Sequence, residues 1–299
     1  MPAKVLISGS SGFLGSALIQ NLGANGYEIT RLIRRPTSAA GQIAWDFAQP
    51  LAPQSVSGFD AVIHLAGESI ASRWTESKKK AIRDSRVLGT RYLAEALARA
   101  ASPPRVLISA SAIGFYGDRD DEILREDSAS GGRGFLPEVC REWEAAAEPA
   151  INAGIRTAFL RTGIVLSANG GALKQMLPPF RMALGGRIGS GRQWMSWIDL
   201  QDEIGAIRHI LANESLRGPV NSVSPHPVTN AEFTKTLASV LSRPAIFPMP
   251  AFAARLVFGQ MGEELLLGSQ KVEPAKLAAS GYLFRKPNLR GALESILKS

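Results

Sequence analysis

A single cysteine, Cys140, among 299 residues leaves no intramolecular disulfide framework. Three scattered histidines beside that one cysteine leave almost no ligand set for a structural zinc ion, so no metal is expected. Long apolar runs are missing too. None approaches the roughly 18–20 residues that span a bilayer, and the most apolar late stretch, Pro248 to Gly259, is broken by Pro250 and Arg255. No cleavable apolar leader opens the chain, because Val5-Leu6-Ile7 runs straight into glycines. A soluble, cytoplasmic protein with no membrane partner is the expectation.

Acidic residues are the minority, 26 against 34 lysines and arginines, and the net charge of +8 raises the question of nucleic acid. The distribution answers it. Basic residues are spread along the chain, and the densest run, Lys78-Lys79-Lys80, sits in a helical pattern as a solvated face. No aromatic platform or basic tail accompanies it, so nucleic acid is not an expected partner. With 45% hydrophobic and 20% charged residues the chain is an ordinary globular one, long enough for about two domains.

Up to about residue 166, short β-branched runs alternate with longer helical patterns, which is how a parallel sheet with crossover helices reads. Strands are expected at Val5–Ser8, Glu28–Ile33, Ile43–Asp46, Ala61–Leu65, Val106–Ser109 and Thr157–Arg161. Helices are expected from about Gly12 to Asn25, with Gly26 as a left-handed cap, from Glu76 to Ala100, and from Leu136 towards Gly154. Pro149 should disturb the last turn of the third helix. From residue 167 onward, glycine-rich loops alternate with short helices, and a helix is expected over Leu200–Leu211. The fold class is α/β: a Rossmann doubly wound parallel sheet with helices on both faces, over 1–166. A smaller mixed C-terminal substrate-side domain covers 167–299, of which about 195–225 returns to the Rossmann core.

The sharpest site signal is Ser8-Gly9-Ser10-Ser11-Gly12-Phe13-Leu14-Gly15, between the first strand and the first helix. Gly9 permits the tight turn, Gly12 lets backbone approach a pyrophosphate, and Gly15 lets helix and strand pack closely. The helix N-terminus adds free N–H groups and a positive dipole end. The second strand ends Leu32-Ile33-Arg34-Arg35-Pro36, with no carboxylate to grip a ribose 2′-hydroxyl. Arg34 can fork onto a 2′-phosphate, with Arg35 or Arg31 beside it, so the expected cofactor is NADP(H).

The glycine spacing, Asp60 to Gly67, and Ser109-Ala110-Ser111 through Tyr116-Gly117 together resemble an extended short-chain dehydrogenase/reductase. Further stretches narrow the likeness to the atypical epimerase-family subgroup of the NAD(P)-dependent epimerase/dehydratases. They are Arg73-Trp74-Thr75, Ser85-Arg86, Cys140 to Glu144, Leu160 to Gly163, Trp194 to Asp199, Pro227 to Phe233 and Gly281 to Phe284. The resemblance implies that Leu65, Ala66 and Gly67 line the adenosine side and that Ser109 to Ser111 approach the nicotinamide. Arg161, at the end of the sixth strand, is counted on the cofactor side or as a brace of that strand end. The superfamily's acid/base tyrosine, with a lysine one helical turn later, is absent: the usual separation from Ser111 reaches Leu136 and Cys140. Tyr282 and Lys286 have the right spacing but lie in the C-terminal region, a coincidence.

Ser111 keeps the family's serine position, and Tyr116, Glu68 or an ordered water is the candidate replacement for the proton-transfer pair. Cys140 reads as a small buried hydrophobe. Arg192, Trp194 and Trp197 are either a clamp and stacking surface for a polar small-molecule substrate or a packed turn before the next helix. The expected function is an NADP-dependent oxidoreductase or epimerase-like enzyme on a carbonyl, alcohol or sugar-nucleotide. The alternative is a non-catalytic NADP-binding regulator linked to cell or organelle division. A monomer or a homodimer fits either.

Overall fold

The computed structural model describes residues 3–35 and 39–298. In chain order the first half runs β1 (Lys4–Ser8), α1 (Phe13–Ala24), β2 (Glu28–Ile33), β3 (Gln42–Ala44), β4 (Ala61–His64), α2 (Glu76–Ala98) and β5 (Val106–Ala112). There follow β6 (Ile123–Leu124), α3 (Phe135–Ala145), α4 (Glu148–Asn152), β7 (Arg156–Thr162), β8 (Ile164–Leu166) and α5 (Gly171–Arg181). The last third holds β9 (Trp194–Met195), β10 (Trp197–Asp199), α6 (Leu200–Ala212), β11 (Gly218–Ser222), β12 (Val228–Thr229) and α7 (Asn230–Leu241). It closes with α8 (Ala251–Phe258), β13 (Lys271–Val272), α9 (Ala275–Ala279) and α10 (Leu289–Leu297).

Seven strands form one parallel sheet in the order β11-β7-β5-β4-β1-β2-β3. Its central strands are apolar without interruption because both faces are covered. Along β1, side chains alternate between two cores. Val5 and Ile7 pack with Ile63, Ile108, Leu18 of α1 and Ile207 of α6, while Leu6 packs with Val62, Leu107, Leu93 of α2 and Ala150 of α4. A third cluster joins α5, α7 and α10 around Trp197 and Phe233. Residues 200–222 contribute α6 and the edge strand β11 to the main sheet.

Several boundaries differ from the sequence reading, for local reasons. The expected single helix from Leu136 is two, because Pro149 has no N–H to donate and fits only in the first turn of α4. Strand β3 is shorter and starts one residue earlier than expected, and β5 continues three residues past Ser109. That extension carries Ser111 on a paired strand, in register with Arg161 of β7, rather than in a loop. Gly26 has φ +81°, and Tyr27 N–H reaches back to Leu22 O at 3.2 Å, closing α1 as a left-handed cap should. Among the described residues no helix is long and apolar enough to cross a membrane.

Candidate dinucleotide and reaction site

The turn after β1 is built so that only glycine fits. Gly9 has φ +70°, and a Cβ there would lie 2.6 Å from the Leu65 carbonyl carbon. A Cβ on Gly15 would lie 2.2 Å from Gly9 O, so α1 sits directly on the turn. Gly12 N–H donates to Gly9 O at 3.0 Å, and α1 begins at Phe13 with no side-chain cap on its first amides. Those amides have no acceptor within the helix, the arrangement that cradles an anion, with Ser10 buried and Ser11 exposed beside them. Two of the expected cofactor residues also pack with their side chains. The Phe13 ring lies against Gly170, and Leu14 packs on the main core. Arg34 and Arg35 are exposed at the end of β2, with the Arg34 guanidinium 5.7 Å from the Phe47 ring; Pro36 lies outside the described residues.

Strand β4 ends beside this cradle, and Leu65, Ala66 and Gly67 continue its edge towards β5. Ser109 is fully buried opposite His64, and Ala110 follows it, half-buried. Ser111 Oγ donates to Glu144 Oε1 at 2.7 Å. Glu144 in turn accepts from Arg161 Nε at 2.8 Å and Nη2 at 2.9 Å, a two-pronged pair with side-chain exposures of 12% and 4%. The expectation that Arg161 reaches the cofactor is therefore corrected: its guanidinium is spent inside, on Glu144 and on Tyr116 Oη at 3.0 Å, and stacks 3.5 Å from the Phe115 ring centre. Glu144 went unassigned in the sequence. Its only signal there was its place on the helix that should have carried the missing pair.

Both side chains proposed as substitutes for the tyrosine–lysine pair are occupied. Tyr116 is fully buried, its hydroxyl donates to Asn221 Oδ1 at 2.7 Å, and burial raises its pKa. That phenol is an interior strut, not a proton donor to a ligand. Glu68 is paired with Lys78 at 2.6 Å, and the hydrogen bond from Lys78 holds its carboxyl below the usual range. Its own backbone N–H donates to Ser85 Oγ at 2.9 Å. Leu136 and Cys140 do flank the strand end, packed over Gly114, and burial pushes the Cys140 thiol up to about 12, away from thiolate chemistry.

On the C-terminal side the three expected substrate residues separate. Trp197 is corrected to a core residue: it is fully buried, and its indole N–H donates to His226 O at 3.0 Å. Trp194 is half-buried with Lys271 Nζ 4.2 Å from its ring centre, while Arg192 is exposed. Tyr282 and Lys286 belong to a clamp around Asp202. The Tyr282 hydroxyl donates to Asp202 O at 2.8 Å, and the Arg285 and Lys286 amides each donate to the Asp202 carboxylate at 2.8 Å.

Two buried titrating groups lie close to the sheet. His64 shares a 2.6 Å hydrogen bond with Ser8 Oγ, leaves Nε2 without a partner, and is lowered by burial to about 4. Glu203, held by Ser222 and Thr162 hydroxyls, is raised by burial to about 7. Between about pH 4 and 6.5 the unfolded chain binds a proton at His64 that the folded chain refuses, so this contribution to stability rises with pH. Between about pH 4.5 and 7 the folded chain keeps a proton on Glu203 that the unfolded chain has lost, so that contribution falls as pH rises. Each amounts to roughly 3 kcal/mol, and they cancel. Glu203→Gln removes one of them. Urea unfolding across pH 4.5–7 should show the variant gaining about 3 kcal/mol relative to the parent; a pH-independent difference would refute the assignment.

The family model described as NAD dependent epimerase/dehydratase family matches residues 5–221, and a domain of unknown function (DUF1731) matches residues 249–296. An epimerase family protein of Mycobacterium tuberculosis is 41% identical over 293 residues, 97% of this chain and 96% of that protein. The crystal structure of human epimerase family protein SDR39U1 with NADPH superposes with a TM-score of 0.91 at 37% identity, covering 99% of each chain. UDP-glucuronic acid 4-epimerase of Bacillus cereus, in complex with NAD, shares the fold at 16% identity and a TM-score of 0.77, over 98% of this chain and 95% of that one. With the glycine cradle, the seven-stranded parallel sheet and this match over most of its length, the chain belongs to the NAD dependent epimerase/dehydratase family.

Proposed function

We propose that this protein binds NADP(H) across the ends of β1, β4 and β5 and works as an oxidoreductase or epimerase-like enzyme on a small carbonyl, alcohol or sugar-nucleotide substrate. The observation that carries it is the turn at Gly9, Gly12 and Gly15, where backbone fills the Cβ positions of Gly9 and Gly15 and the first amides of α1 carry no side-chain cap. Arg34 and Arg35, with no carboxylate at that strand end, are the residues for the 2′-phosphate. The relative with bound NADPH supports the same choice. Ser10, Ser11, Leu65, Ala66, Gly67, Ser109 and Ala110 line the path. The half from residue 167, without α6 and β11, forms the substrate side, where Arg192 and Trp194 stay available.

When bound, the cofactor supplies or accepts the hydride. Ser111 is the residue assigned to the reacting oxygen. Its own proton is directed at Glu144, so its free lone pairs accept a hydrogen bond from a substrate hydroxyl. Glu144, held in its ion pair with Arg161, fixes the Ser111 hydroxyl so that it meets that oxygen, without itself taking the proton. Nothing in the names of the relatives reported above supports a division-linked regulator.

Titrating the protein with NADPH and NADH, followed by nicotinamide fluorescence, tests the reading. NADPH should bind at least about tenfold tighter, and Arg34→Ala should remove most of that preference, as loss of one charge-assisted phosphate contact does. If neither nucleotide binds at micromolar concentration, the cofactor reading falls.

A further inference from the structure

Arg86 is a half-buried guanidinium with no carboxylate in ion-pair contact among the described residues; Glu68, already paired with Lys78, acts on it only at longer range. It projects from the face of α2 that carries Ile82, Ser85 and Thr90, towards the loop after β4. Nη1 donates to Glu68 O at 2.9 Å and to Ile82 O at 3.1 Å, so the fork is fixed by two carbonyls. Its carbon lies 4.9 Å from the Trp143 ring centre, and Trp143 is itself pinned by its indole N–H to Thr90 Oγ1 at 2.9 Å. A Cβ on Gly67 would sit 3.3 Å from the guanidinium, so the cation lies between the end of β4 and α3, where the residue after Trp143, Glu144, accepts from Ser111. The nearest candidate counter-ion, Glu68, gives its carboxylate to Lys78 and only its backbone oxygen to Arg86. Among the described residues no carboxylate lies within ion-pair distance of Arg86, and its Nε and Nη2 make no hydrogen bond.

Glu68 is in contact with Lys78 and Glu144 with Arg161, and Glu68 is the one carboxylate that also acts on Arg86 and Arg34, so the positive charge at this strand edge is in excess. An immobilised excess cation in a cleft distinguishes a ligand by its charge. The two states of a nicotinamide ring differ in this respect: the oxidised ring carries a positive charge and the reduced ring does not.

We propose that Arg86 faces the nicotinamide half of the dinucleotide and makes the site prefer the reduced cofactor to the oxidised one. This rests on the reading that NADP(H) crosses the ends of β1, β4 and β5. The interaction is one partly screened charge pair, which corresponds to a preference of roughly three- to tenfold. The free Nε and Nη2 protons also suit the ribose oxygens of that half.

Calorimetric titration with NADPH, NADP+ and 2′,5′-ADP, which lacks the nicotinamide half, separates the outcomes. In the parent, NADPH should bind several-fold tighter than NADP+. Arg86→Met should shrink that ratio to near one and leave 2′,5′-ADP affinity unchanged, while Arg86→Lys should keep most of the ratio. Arg86→Gln, which retains a donor for the two carbonyls and removes the charge, repeats the test if methionine disturbs folding. An unchanged ratio in both neutral variants overturns the proposal. So does a parallel loss of 2′,5′-ADP binding, which marks Arg86 as structural. If the parent binds none of the three, the cofactor reading itself has failed.

Discussion

Gly15→Ala is expected to abolish NADPH binding and to lower stability by at least about 1–3 kcal/mol, although it puts a better helix former into a helix. Propensity alone favours alanine there by roughly 1 kcal/mol. Sterics decides the sign. The new methyl would lie 2.2 Å from Gly9 O, 2.9 Å from Gly9 C and 3.0 Å from Ser10 Cα, all backbone atoms of the turn that forms the cradle. No side chain can rotate away, so α1 must lift from β1 or the turn must open. Either movement breaks the 3.0 Å bond from Gly12 N–H to Gly9 O and turns the first amides of α1 away from a phosphate. Gly23→Ala on the same helix is the control, because it is exposed and the nearest atom to its Cβ is Ile29 Cδ1 at 4.0 Å. That substitution should stabilise by about 0.5–1 kcal/mol and leave binding unchanged. Urea unfolding and a fluorescence titration of both variants read the result. A Gly15→Ala protein that binds NADPH like the parent would refute the close approach of helix and turn.

The sheet was legible because its information is local. Strands buried on both faces read as unbroken apolar runs, and Gly9, Gly12 and Gly15 mark a turn where helix and strand must touch. The reaction site was less legible because its partners are set by strand register. Ser111 meets Arg161 only because β5 lies beside β7, and Glu144 reaches both only because α3 packs back on that strand end. Residues spaced 33 and 50 along the chain leave no pattern that marks them as neighbours. Trp197 failed for a different reason. It sits in a three-residue strand after a two-residue one, too short for an alternation that separates the buried ring from the half-buried Trp194. The spacing of Tyr282 and Lys286 shows the converse. A correct interval arose from a loop wrapped on Asp202, and only the hydrogen bonds distinguish it from a catalytic pair.

Removing either member of the Glu144–Arg161 pair is expected to cost about 3–5 kcal/mol, because each leaves the other charge buried and unmatched. In Glu144→Ala, the Arg161 guanidinium keeps only Tyr116 Oη at 3.0 Å and Glu126 O at 3.4 Å, with 4% of its side chain exposed. In Arg161→Met, the Glu144 carboxylate keeps only the Ser111 hydroxyl. The double variant Glu144→Leu with Arg161→Met leaves no orphan charge and should cost clearly less than the two single changes added together. Ser111→Ala is different in kind. It removes one hydrogen bond of three from Glu144 and should cost only about 1 kcal/mol. Urea midpoints of the four variants check the ordering, and strict additivity in the double variant would show that the pair is not coupled. The ordering also fixes which variant can report on chemistry. Loss of activity in Glu144→Ala would mix a weakened fold with a misplaced Ser111 hydroxyl, whereas Ser111→Ala keeps the pair, the fold and the cradle. A Ser111→Ala protein that still binds NADPH but turns over no substrate isolates the hydroxyl as the group that meets the reacting oxygen.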